Sequence, residues 1–293
     1  MNEPSLWHQI FDFSDYGALL SLVHNTLVAG AVLGVVAGLI STFVMMRDLP
    51  FAVHGISELS FAGAAGFLLA GWSIVVGALT GSLVAALVIG ALGTRARDRN
   101  SIIGVLMPFG LGLGVLFLSL YHGRAANKFG LLTGQIAAID TPRLAALAGT
   151  AAVVVAGLIV VWRPLTFAST DPDVAAARGV PVRLLSPVFM LLLGLTVAMS
   201  VQIVGALLVL SVVCTPAAAA MRVTASPVLV PVLSVVFAVT ATVGGTLLEL
   251  GSYSVPISPY VTTISFTIYA VCRVIGAIRT RQGWTTRAVA VAA

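Results

Sequence analysis

The charges of this 293-residue chain lie in a few short clusters, separated by apolar stretches of about 20 residues. That is the length a helix needs to cross roughly 30 Å of hydrocarbon at about 1.5 Å per residue. The pattern predicts about nine spans, over residues 17–46, 51–71, 73–93, 101–121, 143–162, 184–200, 203–221, 228–249 and 260–278. The first is long enough to overshoot the hydrocarbon. Pro50, Gly55 and Gly63 are able to interrupt the second, so eight full crossings with one broken span is the alternative count. The fold class is all-α, a polytopic membrane protein, and the absence of any repeat of 20 to 50 residues leaves one membrane domain filling residues 1–293.

Composition sharpens that picture. Hydrophobic residues make up 59% of the chain and charged residues 9%, with a mean hydropathy of +1.09. A soluble domain carries about 25% charged residues. The net charge of +5 comes from arginines at the ends of apolar segments, with Lys128 the single lysine, a pattern set by membrane topology and not by nucleic-acid binding. Cys214 and Cys272 fall inside apolar segments, far apart in sequence, and read as small core hydrophobes. Residues 1–16 carry Glu3, Asp12 and Asp15 but no basic residue, unlike a secretory leader. The expectation is a retained N-terminal segment lying in the interface on Leu6, Trp7, Ile10, Phe11 and Phe13.

Orientation follows from the basic residues. With the N-terminus outside, Arg47, Arg95, Arg97, Arg99, Arg163, Arg178, Arg183, Arg222, Arg273, Arg279, Arg281 and Arg287 fall on the cytoplasmic side, against Arg124, Lys128 and Arg143 outside. Twelve against three is the positive-inside bias of a plasma-membrane protein, and it puts the tail 279–293 in the cytoplasm. Among the inner connections, residues 163–183 alone are long enough to hold structure. Ser169, Thr170 and Asp171 offer caps, Pro172 suits a first turn, Asp173 favours the positive helix end, and Gly179 with Pro181 stops the helix that Ala176 continues. A short helix at the cytoplasmic surface is predicted there.

The sharpest candidate chemistry is His54-Gly55-Ile56-Ser57-Glu58, because residues four apart share a helix face and can hold a metal together. An ionisable side chain inside a span costs about 2.5 to 3.5 kcal/mol on insertion scales, so its presence asks for a reason. Both residues hydrated at the interface is the other reading of the same spacing. His24, Asn25, Gln202 and Glu249 each line either a polar cavity or the interface, with Gln202 expected between spans six and seven. His8 and His122 carry no spacing signal. The chain lacks an H-E-x-x-H helix, a G-x-S-x-G elbow and a G-x-x-x-x-G-K-[ST] loop, so ATP hydrolysis is not expected from it.

Three of these segments together resemble the permease subunits of bacterial ABC importers for zinc, manganese and related metals. In that family a basic residue and a short loop precede an apolar segment with Asp and, four residues on, His; Arg47 to Gly63 is similar. The family's cytoplasmic loop, with its Asp-Pro-acidic start and Gly-x-Pro end, looks like Asp171 to Pro181, and its Gln, Gly and Pro-Ala-Ala run looks like Gln202, Gly205 and Pro216-Ala217-Ala218. The departure is at the site, where His54 stands at the family's Asp position and Glu58 at its His position. The resemblance implies a type II-like importer permease with a metal path through His54 and Glu58. It implies a coupling loop through Ser169, Asp171, Pro172, Asp173, Ala176, Gly179 and Pro181, and no cofactor in the chain beyond the transported zinc or manganese. The partners it implies are cytoplasmic ATPase subunits, an extracytoplasmic metal-binding lipoprotein, a second permease copy and the lipid bilayer. The rivals are a similar permease for a metal chelate such as a siderophore or cobalamin, and a self-contained secondary transporter driven by an ion gradient.

Overall fold

The computed structural model describes residues 23–92, 96–123, 130–132, 139–251 and 256–292; of residues 96–98 and 280–292 it describes the backbone. The expected interfacial segment 1–16, with His8, and the loop residues Arg124 and Lys128 lie outside the described residues. Every regular element among those described is helical. In chain order they are α1 (His24–Met46), α2 (Pro50–Leu69), α3 (Ile74–Leu92), α4 (Ala96–Leu120), α5 (Thr141–Thr170), α6 (Pro172–Ala177), α7 (Val182–Val204), a 3-10 turn (Ala206–Leu208), α8 (Val209–Val213), α9 (Thr215–Val223), α10 (Leu229–Glu249) and α11 (Ile257–Ala292). Within these residues there are nine stretches long and apolar enough to cross a membrane, the 3-10 turn, α8 and α9 together supplying one of them.

Several expected boundaries move. The fifth span does not stop near Trp162: α5 runs through Pro164 to Thr170, and Ser169 lies in its last turn with Oγ donating to the Leu165 carbonyl at 2.6 Å. The expected inner loop, residues 163–183, is therefore mostly helix. The last helix continues through the tail to Ala292. Gln202 sits inside α7 and not between two spans. The broken span of the alternative count is the seventh and not the second. Pro50 occupies the first turn of α2, where its missing N–H is no loss, and α2 is continuous through Gly55 and Gly63.

Because lipid tails are as apolar as the side chains, helices in a membrane associate through close packing more than through hydrophobic burial. Small residues set both of the tightest contacts here. On α1, Gly30, Gly34 and Gly38 stack four apart against α10; a Cβ at Gly34 would lie 2.7 Å from Val239 Cα, and one at Gly38 2.5 Å from Val235 Cα. Thr242 Oγ1 closes the seam by donating to the Gly30 carbonyl at 2.8 Å. On the other side of the bundle, α2 is gripped between α3 and α4. Gly63 meets the Gly77 carbonyl, Gly81 meets the Leu59 carbonyl, and a Cβ at Gly110 would lie 3.0 Å from the Glu58 carbonyl carbon. Helix α7 joins the two halves by packing on α1, α2, α3 and α5. The outward faces carry exposed apolar residues such as Val105, Phe109, Val160 and Phe266, as a lipid-bathed surface requires.

Replacing Gly38 by Ala puts a methyl into the Val235 backbone, an overpacking cost of about 1 to 3 kcal/mol. Gly112 has nothing near its Cβ position, so Gly112→Ala should gain about 0.5 to 1 kcal/mol of helix stability. Thermal unfolding of the purified protein in detergent should therefore move down for the first variant and up or not at all for the second. Equal midpoints would show that the α1–α10 seam is not a close contact.

Candidate functional site

His54 and Glu58 stand one turn apart on α2, their side chains brought to one face by the helical repeat. His54 Nε2 lies 3.7 Å from Glu58 Oε1. The imidazole is 28% exposed, whereas the glutamate is nearly closed off, and its Oε2 is buried without a hydrogen-bond partner. Below them the Ser57 hydroxyl donates to the His54 carbonyl at 2.8 Å. Glycine contacts hold α2 from two sides, and it also touches α7, the 3-10 turn and α8. No group of three or more His, Cys, Asp or Glu side chains gathers among the described residues. Two donors from a single helix, one of them with a free acceptor lobe, make half of a coordination set.

Facing α2 is the broken seventh span. Gly205 takes φ +86°, which ends α7; a 3-10 turn and α8 follow, and a second interruption at Cys214 precedes α9, where Pro216 stands in the first turn. Unwound backbone in a membrane survives only where its polar groups find partners. Ser41 of α1 supplies them on both sides of the Cys214 kink, donating to the Cys214 carbonyl at 3.3 Å and accepting from the Ala217 amide at 3.1 Å. Ser258 Oγ donates to the Val204 carbonyl at 2.5 Å at the other end of the break. Sequence reasoning missed this break, although Gly205 and Pro216 carried its signal. Ser41 gave none, since its role depends on a residue 173 positions away.

The remaining polar candidates separate. Asn25 Nδ2 donates to the Ile139 carbonyl at 3.1 Å, tying the loop before α5 to the start of α1, while His24 is exposed. Gln202 Nε2 donates to Ala198 within its own helix, and its Oε1 is left unpartnered near Arg143 in a cavity of about 50 Å³. Glu249 ends α10 with a buried Oε2. Among the described residues neither His24 nor Glu249 gathers with the His54–Glu58 pair into a group of three. Cys214 and Cys272 are free thiols, both buried.

At the end of the bundle where α1 meets α2, Arg47 lies 5.5 Å over the Phe189 ring, beside the edge-to-face stack of Phe43 with Trp162 and Phe189. Burial, and then the nearby Arg99 charge, lower its pKa below the ordinary arginine value. The same end carries α6. Asp171 caps it by accepting from the Val174 amide at 3.0 Å; Pro172 and Asp173 fill the first turn, and Gly179 at φ +83° ends it before Pro181. A single buried side chain, Ala175, packs α6 against Ala168 and Leu185. Ala176, Arg178 and the 46%-exposed Val174 face outward.

The sequence model of the ABC 3 transport family matches residues 20–276. The manganese transport system membrane protein MntC of Halalkalibacterium halodurans is 27% identical over 259 residues, covering 88% of each chain. The manganese import system permease protein ScaB of Streptococcus parasanguinis is 27% identical over 212 residues, covering 72% of this chain and 75% of its own. Among solved structures, PsaBC from Streptococcus pneumoniae in complex with Fab superposes with a TM-score of 0.78 at 25% identity, covering 89% of this chain and 95% of that one.

Removing the Ser41 hydroxyl leaves the buried Ala217 amide unpaired, at about 1 to 3 kcal/mol, while the Cys214 carbonyl keeps the Ala218 amide at 3.2 Å. Ser41→Ala should lower the unfolding midpoint of the purified protein well below that of Thr150→Val, whose exposed hydroxyl bonds only to Ala146 in its own helix. Matching midpoints would mean that Ser41 does not hold the break.

Proposed function

Because the chain belongs to the ABC 3 transport family, we propose that it is the membrane-spanning subunit of an ATP-driven importer for a divalent metal ion, manganese or zinc. The observation that carries the reading is the unpartnered Glu58 oxygen buried beside the His54 imidazole. A neutral imidazole and a carboxylate suit Zn²⁺, Mn²⁺ or Fe²⁺, and the manganese transport named for MntC and ScaB fits that donor set. The exchanged order of the two residues keeps the ligand types and shifts their heights on the helix by one turn. Two ligands from one chain hold an ion weakly, and a second copy or water completes the shell. A tightly closed site would stall transport.

The rest of the machine is assigned around that pair. One permease domain fills residues 1–293, the N-terminus lies outside, and the end carrying Arg47 and Arg99 faces the cytoplasm, in keeping with the arginine bias. Separate ATPase subunits grip α6, whose exposed face and single-residue anchor suit a helix that moves with a partner. An extracytoplasmic metal-binding lipoprotein delivers the ion. A second permease copy pairs with this one in the plasma membrane.

With the purified importer in proteoliposomes, His54→Ala and Glu58→Gln should each reduce manganese and zinc uptake to background while assembly with the ATPase is kept. The double exchange His54→Asp with Glu58→His should restore part of it. Normal uptake in the His54→Ala, Glu58→Gln double variant sinks the site and favours a chelate importer, whose path needs no ligand to the bare ion.

Coupling is checked at Gly179, where any side chain is strained by the left-handed backbone at about 1 to 2 kcal/mol. Gly179→Val should leave ATP hydrolysis running and uptake lost; normal uptake would remove α6 from the coupling path. For orientation, a cysteine at Asn100 should react only with reagents that enter the cytoplasm, and reaction from outside overturns the assignment.

A further inference from the structure

A cavity of about 390 Å³ lies between the end of α1, the start of α2, the broken seventh span and α11. At about 30 Å³ per water it has room for about a dozen, enough for an ion with its inner hydration shell. Its donors are unusual for a space among apolar helices. Met45 brings a thioether and Cys214 a free thiol, at the kink where the seventh span unwinds. Ser211 and Thr215 flank the thiol, and Ser265 faces it from α11. Ser265 is 3% exposed, and its hydroxyl is buried with no hydrogen-bond partner, as is that of Thr262 beside it. A buried hydroxyl without a partner costs about 1 to 3 kcal/mol, and two on one wall of a cavity ask for a ligand or water between them.

The cavity also lies in register with the site already described. Pro50 lines it, and Pro50, His54 and Glu58 recur every fourth residue along one face of α2. From Glu58 to Pro50 is eight residues, a drop of about 12 Å along the helix axis. At the far end Tyr269 lines the cavity too, and its hydroxyl accepts from Arg222 at 3.5 Å and from Arg273 at 3.3 Å.

We propose that this cavity is a second cation station below His54 and Glu58, with soft donors from Met45 and Cys214 and hydroxyl donors from Ser265 and Thr262. The proposal rests on the reading of the chain as a cation permease. Hydroxyl and thioether oxygens and sulfurs carry no charge, so a hard ion passes as a hydrated species with little residence. A strongly thiophilic divalent ion is held: cadmium binds the Cys214 sulfur as thiolate, with the thiol proton lost to water in the cavity. The two guanidinium groups at Tyr269 put positive charge at that end of the cavity and raise the barrier to a cation passing in either direction. The station thus separates the transported ion, which leaves, from cadmium, which arrests the carrier.

The chain has two cysteines, so Cys272→Ala leaves Cys214 as its single thiol. The complex of this variant with its ATPase, in nanodiscs, is treated with a cationic methanethiosulfonate, and labelling of this chain is followed by mass spectrometry with and without cadmium. Cys214 should be modified, and cadmium should protect it. Met45→Leu and Ser265→Ala should each weaken that protection by about tenfold or more, the loss expected when one partner of a metal site is removed. In proteoliposomes, cadmium should inhibit manganese uptake by the Cys272→Ala complex and lose that inhibition when Cys214→Ala is added. A Cys214 that stays unmodified during ATP turnover, labelling that cadmium does not slow, or inhibition that survives Cys214→Ala overturns the proposal. Labelling and protection do not require transport, so they stand or fall apart from the His54→Ala, Glu58→Gln test.

Discussion

In hydrocarbon no water is available to satisfy a peptide group, and this constraint shapes the bundle more than any single side-chain contact. Eight of the nine candidate spans meet it by staying helical from end to end. The seventh does not. Its interrupted stretch, a 3-10 turn and the short α8 between the breaks at Gly205 and Cys214, is held by Ser41 and Ser258 from two different helices, which bond the Cys214 and Val204 carbonyls and the Ala217 amide. Holding Ser41 there requires α1 to be fixed in place, which the glycine seam against α10 achieves with backbone-to-backbone proximity. The break, the seam and the cavity beside Cys214 are one arrangement.

The same logic locates the ionisable pair. Glu58 is nearly buried and has a free oxygen, a costly placement in a span unless the group serves a ligand. Helix α2 is kept from relaxing around it by Gly63, Gly81 and Gly110, which bring α3 and α4 against its backbone. Helix α2 also packs on α7, the 3-10 turn and α8. The two side chains therefore stand on a helix whose position is fixed by its neighbours' backbones.

Much of this was legible in the chain itself. Nine apolar stretches, the helical spacing of His54 and Glu58, and the cap and stop residues of α6 follow from local rules, and the α6 signals land where the Asp171 cap and the φ +83° of Gly179 put them. Local rules failed where tertiary contact decides. Pro50 reads as a breaker but stands at a first turn, where it is harmless. Pro164 reads as the end of a span but lies inside α5, which continues to Thr170. Gln202 reads as a linker residue because the span before it runs four residues further than its hydropathy indicates. The cavity at Met45 and Cys214 draws on four separate segments, and no window of sequence contains it.

The slight attachment of α6 has a consequence for how such a protein changes over generations. With Ala175 alone holding the helix to the bundle, substitutions at Val174, Ala176 and Arg178 touch nothing that the membrane domain needs in order to fold. Selection on that surface is then free of selection on the core. A lineage can vary that exposed surface while the packed bundle beneath it stays as it is.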